Sequence, residues 1–142
     1  MKIVVNRCFG GFNLSHKAVL AYCELKNIEV WPEKDDFFWN YWIVPAENRV
    51  VQKSNDEFYA MPRAERAAYN KAYNKAYSNQ TFHYRDIART DLALVQVVET
   101  LGKLASGYCS NLQIVEIPDD VSWHITDYDG MEGVAENHRV WP

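Results

Sequence analysis

The chain has 142 residues, of which 48% are hydrophobic and 24% charged, and this composition is typical of a globular protein with one core. The formal net charge of −4 argues against general binding of DNA or RNA, because such binding needs a basic face. No apolar run is long enough to cross a membrane, and the histidines and cysteines lack the spacing of a metal site. We therefore expect a single domain in a reducing cytoplasm, without metal, cofactor or membrane partner, in which Cys8 and Cys23 are buried free thiols.

The N-terminal residues predict a strand, a glycine turn and the start of a helix. The consecutive apolar residues 3–5 are typical of a strand that is covered on both faces. Gly10 and Gly11 follow the strand, and Ser15 is placed to cap a helix that extends to about Lys26.

This strand–turn–helix segment is the first candidate binding site. Gly10 and Gly11 permit a positive φ and a close approach of the backbone, so that backbone N–H groups can face an anion beside the positive charge of Arg7. The segment matches neither the Walker A loop nor the GxGxxG fingerprint. A glycine pair between a strand and a helix also forms simple tight turns, and both interpretations stay open here.

The segment from about 33 to 80 differs from the rest of the chain and is interpreted as a variable insertion. A short strand at 28–31, closed by Pro32, precedes it. The aromatic block 37–44 predicts a strand with too many bulky side chains for one core. Its second face is covered either by the sheet of the monomer or by another subunit.

A helix that begins near Pro62 carries a stripe of tyrosines on one face. Tyr69, Tyr73 and Tyr77 recur at intervals of four residues. The stripe either stacks nucleotide bases or packs the helix against its own sheet or a partner.

The C-terminal part predicts a helix, a strand and a hairpin. Asp91 can cap a helix over 92–105, with Gly107 as its stop. Strands are expected at 112–117 and 123–128, and Asp129-Gly130 is a hairpin-turn signal before a return strand. The whole pattern predicts an α+β fold, with a mixed or mainly antiparallel sheet packed on two or three helices and a C-terminal β-hairpin.

Two further clusters of basic and aromatic residues are candidate binding sites. In the linker 82–91, Tyr84, Arg85 and Arg89 precede a helix, where arginines can hold phosphate and aromatic faces can stack on a base. The alternative is that these arginines form surface salt bridges with Asp86, Asp91 or other carboxylates. In the tail, His138, Arg139 and Trp141 bind a phosphate or carboxylate, or else Trp141 only closes the core.

Several motifs resemble those of a family of small proteins from bacteriophages and prophages. They are KIVVNRCFGGFNLS at 2–15, RDIARTD at 85–91, VVETLG at 97–102, VEIPDDV at 115–121, YDG at 128–130 and ENHRVW at 136–141. The resemblance covers about 2–27 and 82–141, and Asn13 and Ala88 stand where the pattern has Gly and Pro. It implies a phage-encoded accessory protein that counters host defence. By analogy with phage nucleotide sponges, some of them anti-Thoeris or anti-CBASS proteins, it implies a homo-oligomer in the host cytoplasm.

The leading hypothesis is binding and sequestration of a phosphorylated small molecule, such as a cyclic nucleotide or a cyclic ADP-ribose-type signal. The residues expected to bind it are Arg7, Phe9, Gly10, Gly11, Phe12, Ser15, Tyr84, Arg85, Arg89, His138, Arg139 and Trp141. One alternative is a nuclease or phosphodiesterase that uses His83, His138 or Asp86 as acid or base. Another is a protein-interaction module that inhibits a host factor through the aromatic block and the tyrosine stripe.

Overall fold

Four α-helices and three two-stranded antiparallel sheets form the computed structural model, which describes residues 1–142, and they confirm the predicted α+β class. The elements are β1 (Lys2–Asn6), α1 (His16–Leu25), β2 (Trp31–Lys34), β3 (Trp39–Trp42), α2 (Asn55–Ala60), α3 (Arg63–Gln80), α4 (Leu92–Leu101), β4 (Leu112–Glu116), β5 (Trp123–Tyr128) and β6 (Met131–Glu136). None of the helices is both long and apolar enough to span a membrane.

The chain divides into two compact units. Unit 1 combines residues 1–28 with residues 84–142, and unit 2 consists of residues 29–83. Unit 2 therefore contains the whole segment 33–80 that the sequence sets apart.

The core of unit 1 forms around β1. Residues 3–5 of this strand are fully buried, as the consecutive apolar residues predict. β1 pairs with β4 in antiparallel register, with Ile3 opposite Val115, and α1 and α4 add buried side chains such as Val19 and Leu94. The buried Cys23 in α1 is a free thiol, as expected, and burial raises its pKa to about 11.

Asp91 caps α4 and ties it to α1. Partial burial alone would raise the pKa of Asp91, but the hydrogen bonds outweigh it and hold this pKa below its usual value. The donors are the amides of Leu94 and Ala93, the Lys26 ammonium and the Tyr22 hydroxyl.

The end of α4 corrects the predicted helix at 92–105. The α-helix stops at Leu101, because Gly102 takes a φ of +55° that ends the regular hydrogen bonding, and a 3₁₀ turn then covers Gly102–Ala105. Gly102 is therefore the stop residue, and the prediction of Gly107 for this role was wrong.

The predicted hairpin is confirmed in β5 and β6. Both turn residues have positive φ, 51° at Asp129 and 85° at Gly130, which is the backbone of a type I′ turn. The turn lies against the glycine loop, where the Gly10 N–H donates to the Asp129 carbonyl at 3.3 Å. The fully buried Asn6 side chain completes this junction by donating to the carbonyls of Gly130 (2.7 Å) and Cys8 (2.6 Å).

Unit 2 departs from the predicted strands. The first strand begins at Trp31 and includes Pro32, which is tolerated because β2 pairs only with β3. The aromatic block forms a strand only at Trp39–Trp42, and Phe37 and Phe38 are 86% and 75% exposed. The expectation that the whole block is covered on both faces was therefore wrong for these two residues.

The tyrosine stripe of α3 packs within unit 2. Tyr69 stacks on Tyr73 and Tyr73 on Tyr77, with ring centroids 6.3 and 6.2 Å apart, and Tyr77 meets the edge of Trp42 at 5.4 Å. The stripe thus serves packing, which was one of its two interpretations. The short helix α2 was not predicted, although its capping box of Ser54 and Glu57 is a sequence signal for a helix start.

The contact between the hairpin turn and the glycine loop can be tested with two Gly→Ala changes. A Cβ at Gly130 would lie 2.8 Å from the Gly10 nitrogen and still closer to that of Gly11, whereas a Cβ at Gly102 would meet nothing within 4 Å. Both positions have positive φ and both variants should lose stability. Overlap with backbone should make Gly130→Ala worse than Gly102→Ala by about 1–3 kcal/mol in the free energy of unfolding, measured by urea denaturation. Equal losses of stability in the two variants would contradict the close contact between the hairpin turn and the glycine loop.

Asp91 should make the stability of the chain depend on pH. Its lowered pKa means that its ionised form stabilises the fold above about pH 4, the unfolded value, and that this contribution is lost as the pH falls through the folded pKa. Asp91→Asn should cost about 1 kcal/mol at pH 7 and progressively less below pH 4, measured by chemical denaturation across the pH range. The exposed Asp86→Asn is the control and should change stability by less than about 0.5 kcal/mol at neutral pH.

Candidate functional site

A cleft of about 260 Å³ in unit 1 brings two of the predicted binding segments together. Its walls come from the glycine loop, from the segment before α4 and from the start of β6. The lining residues are Gly10, Gly11, Phe12, Arg85, Arg89 and Glu132. Five of these six residues belong to the predicted site, and Glu132 does not.

Glu132 is a buried carboxylate held by Arg89. The two Glu132 oxygens accept hydrogen bonds from Arg89 Nη1 (2.7 Å) and Nη2 (2.8 Å), and the oxygen facing Nη1 also accepts the Asn6 N–H at 2.9 Å. The side chains of Glu132 and Arg89 are 6% and 18% exposed. This bidentate pair neutralises both charges within the wall of the cleft.

Phe12 supports the same guanidinium from one face. The Arg89 guanidinium carbon lies 3.5 Å from the centroid of the Phe12 ring, which is a close cation–π contact. Arg89 is also tied to β1, because its Nη1 donates to the Val4 carbonyl at 3.3 Å and its own carbonyl accepts the Val4 N–H at 2.9 Å. Arg89 is therefore fixed at its backbone, at its terminal nitrogens and on one face.

Arg85 is the free cation of the cleft. It lies in a 3₁₀ turn at Tyr84–Asp86, its side chain is exposed, and its guanidinium lies 6.0 Å from the centroid of the Tyr84 ring. Arg85 forms no ion pair, so the predicted alternative of a salt bridge is wrong for this residue. Arg89 does form an ion pair, although its partner is Glu132 and neither Asp86 nor Asp91. Asp91 pairs with Lys26 at 3.2 Å instead.

The glycine loop approaches the hairpin turn closely. Gly10 has a φ of +117° and Gly11 a φ of +96°, so both use the conformational freedom of glycine. The Gly10 N–H already donates to Asp129, while the Cα of Gly11 has open space on its side-chain side. The glycines therefore shape one wall of the cleft and also seat the hairpin.

Ser15 caps α1 away from the cleft lining. Its Oγ accepts the Ala18 N–H at 3.1 Å and donates to the Leu104 carbonyl at 2.6 Å. Its capping role is as predicted. Both hydrogen bonds of this hydroxyl are therefore made to backbone groups of the protein itself.

Three other predicted residues lie near the cleft segments without lining it. Arg7 Nη1 donates to the Glu132 backbone carbonyl at 2.7 Å, and the Tyr84 hydroxyl donates to Asn13 Oδ1 at 2.8 Å. The side chain of Phe9 is exposed. Arg7 and Tyr84 therefore brace β6 and the glycine loop.

The tail does not join the cleft. His138, Arg139 and Trp141 are exposed and follow β6, which ends at Glu136. None of the three lines the cleft. Of the four arginines predicted to bind the ligand, Arg85 and Arg89 line the cleft, whereas Arg7 is hydrogen-bonded to the backbone of β6 and Arg139 belongs to the tail.

The candidate acids and bases are dispersed. His83 belongs to unit 2, where its Nε2 lies 3.0 Å from Thr81 Oγ1, and Asp86 is exposed in the 3₁₀ turn. No group of three or more His, Cys, Asp or Glu side chains is placed to hold a metal ion.

Sequence reasoning missed Glu132 and Asn6. Glu132 lies in the predicted return strand, but nothing local marks it as buried. Asn6 ends the apolar run of β1, and a polar residue at a strand end is ordinary. A pairing over 43 residues with Arg89, or over 126 residues between Asn6 and Glu132, leaves no trace in a single sequence.

The two cleft arginines should differ sharply in their effect on stability. Arg89→Ala leaves a buried carboxylate without its partner and should lower the free energy of unfolding by about 3–5 kcal/mol. Arg85→Ala removes an exposed side chain without an ion pair and should change it by less than about 0.5 kcal/mol. Urea denaturation at pH 7 measures both. A loss below about 1 kcal/mol in Arg89→Ala would contradict the structural role of the pair.

Comparison with known proteins supplies no relative for this chain. No family model, no curated protein and no solved structure matches it. The function is therefore argued from the cleft and its chemistry.

Proposed function

We propose that unit 1 binds a small phosphorylated molecule in the cleft and holds it without converting it. The observation that carries the proposal is Arg85, an exposed guanidinium without an ion pair at a concave surface. A guanidinium presents N–H donors in a planar fork that matches the oxygens of a phosphate. The charge of Arg85 is available because Arg89 and Glu132 neutralise each other.

The size of the cleft limits the ligand. Its volume of about 260 Å³ lies just below the range of about 300–1,000 Å³ for typical small-molecule sites. This supports a ligand of the size of a phosphorylated sugar or a mononucleotide. A larger molecule, such as a cyclic dinucleotide, would place only part of itself in the cleft.

The chemistry of the lining favours binding over turnover. General acid–base catalysis needs a titratable group within hydrogen-bond reach of the reacting atoms. The ionisable lining residues are two arginines and Glu132, and Arg89 already donates to both oxygens of that carboxylate. The nuclease or phosphodiesterase alternative would need His83, His138 or Asp86, and none of the three lines the cleft.

The resemblance to phage proteins supplies the biological part of the proposal. A protein of that kind would sequester a phosphorylated immune signal, of the cyclic nucleotide or cyclic ADP-ribose type, in the cytoplasm of the host. It would act as a homo-oligomer. The cleft supports the binding of a phosphorylated molecule, and the resemblance supports the host cell and the immune signal as the biological context.

The protein-interaction alternative is favoured by one observation in unit 2. Phe37 and Phe38 are adjacent and largely exposed, and exposed apolar residues of this size are typical of contact surfaces. Trp42 and the tyrosine stripe pack within unit 2, so they give little support to a role in binding another protein.

Isothermal titration calorimetry with a panel of ligands tests the binding proposal. The panel contains inorganic phosphate, 5′-mononucleotides, cyclic nucleotides and cyclic ADP-ribose isomers. At least one should bind more tightly than about 10 μM, and Arg85→Ala should weaken it at least about tenfold, or about 1.4 kcal/mol. The exposed Arg139→Ala is the matched control and should bind as the wild type does. The ligand should be recovered intact after denaturation of the complex.

Two results would overturn the proposal. Absence of any binding tighter than about 10 μM would contradict the proposed sequestration, because a sequestering protein must compete with the receptor of the signal. Recovery of a chemically altered ligand would support the enzyme alternative.

A further inference from the structure

The two arginines of the cleft are held in different ways, and this difference bears on the ligand. The five N–H donors of a guanidinium lie in one plane, and the two faces of that plane are apolar enough to stack on rings. Arg85 forms no ion pair, and its guanidinium lies over the Tyr84 ring at 6.0 Å. Most of the N–H donors of Arg89 already form hydrogen bonds within the protein.

The donors of Arg89 are largely occupied. Two N–H groups bind the Glu132 carboxylate and a third binds the Val4 carbonyl. A phosphate that approached Arg89 would compete with a bidentate carboxylate and would face the negative charge of Glu132. Arg89 is therefore a poor phosphate ligand.

The Arg89 guanidinium is covered on one face but still reaches the cleft. Phe12 lies over that face at 3.5 Å, and Glu132 covers the edge with the terminal nitrogens. The Arg89 side chain is still 18% exposed, and it lines the cleft.

We infer that a planar ring of the ligand stacks on the face of Arg89 opposite Phe12, while Arg85 binds the phosphate of the same molecule. The ring would continue the stack that Phe12 and Arg89 begin, and Glu132 would hold the guanidinium in its plane. Nucleobases stack on guanidinium planes as well as on aromatic rings. The inference rests on the proposed function, and it narrows the ligand class to nucleotides or other phosphorylated molecules with a flat ring.

Each arginine has a separate role under this inference. Arg85 recognises charge and should not distinguish one phosphorylated molecule from another. Arg89 recognises a flat surface and should distinguish a nucleotide from a sugar phosphate. Arg89 is then a specificity-determining residue held in position by Glu132.

Calorimetry with three matched compounds tests the division of roles. AMP carries both the ring and the phosphate, ribose 5-phosphate lacks the ring, and adenosine lacks the phosphate. Wild-type protein should bind AMP at least tenfold more tightly than either fragment. Arg85→Ala should bind AMP and adenosine equally. Arg89→Lys, which keeps the charge and loses the plane, should bind AMP about as weakly as ribose 5-phosphate.

A second series uses the wild-type protein alone, because changes at Arg89 also weaken the fold. The 5′-monophosphates of uridine and adenosine differ in the stacking area of the base, and the purine should bind several-fold more tightly. Equal binding of ribose 5-phosphate, uridine monophosphate and AMP would overturn the proposed stacking on Arg89, but it would agree with phosphate binding by Arg85. Full AMP affinity in a folded Arg89→Lys protein would also overturn it. Failure of all phosphorylated compounds to bind would instead overturn the proposed function, and the inference with it.

Discussion

Burial of one carboxylate organises unit 1. A carboxylate taken out of water must be compensated by charge and hydrogen bonds, and Glu132 is compensated by Arg89 and by the Asn6 amide. The three residues come from the start of β6, from the segment before α4 and from the end of β1. Because the pair cannot form unless all three segments are in place, the same interaction that makes the burial tolerable also sets the shape of the cleft. Replacing both partners by apolar residues could preserve stability, but it would remove the flat, polar wall that Arg89 supplies.

Under the proposed function, a structural ion pair and a binding surface share residues in the cleft. Arg89 is immobilised by contacts that serve the fold, so its remaining face is presented without further loss of side-chain freedom when a ligand arrives. Arg85, four residues earlier, has the opposite character, because its charge is exposed and forms no ion pair. The difference between the two lies in their surroundings, since the side chains are chemically identical. A sequence motif that contains both arginines cannot express this difference.

Features governed by neighbouring residues could be predicted from the sequence, and features governed by distant residues could not. Ser15 and Asp91 cap their helices as expected, and Asp129-Gly130 forms its hairpin, because each depends on a few adjacent residues. The end of α4 was misplaced because Gly102 and Gly107 carry the same local signal. The convergence of the glycine loop with Arg85 and Arg89 was anticipated from residue types, whereas the role of Glu132 needs a contact across 43 residues. The tail was included for its composition alone, and no packing brings it to the cleft.

The discontinuity of unit 1 has a consequence for how the protein is made. The Asn6 N–H of the first strand donates a hydrogen bond to Glu132, 126 residues later. In the sequence, unit 2 is therefore inserted between the two parts of unit 1. Closing so long a loop is slow, and the contacts that reward it come last. During synthesis, residues 29–83 leave the ribosome before α4 and β4, so the apolar residues of β1 lack these two partners while unit 2 emerges.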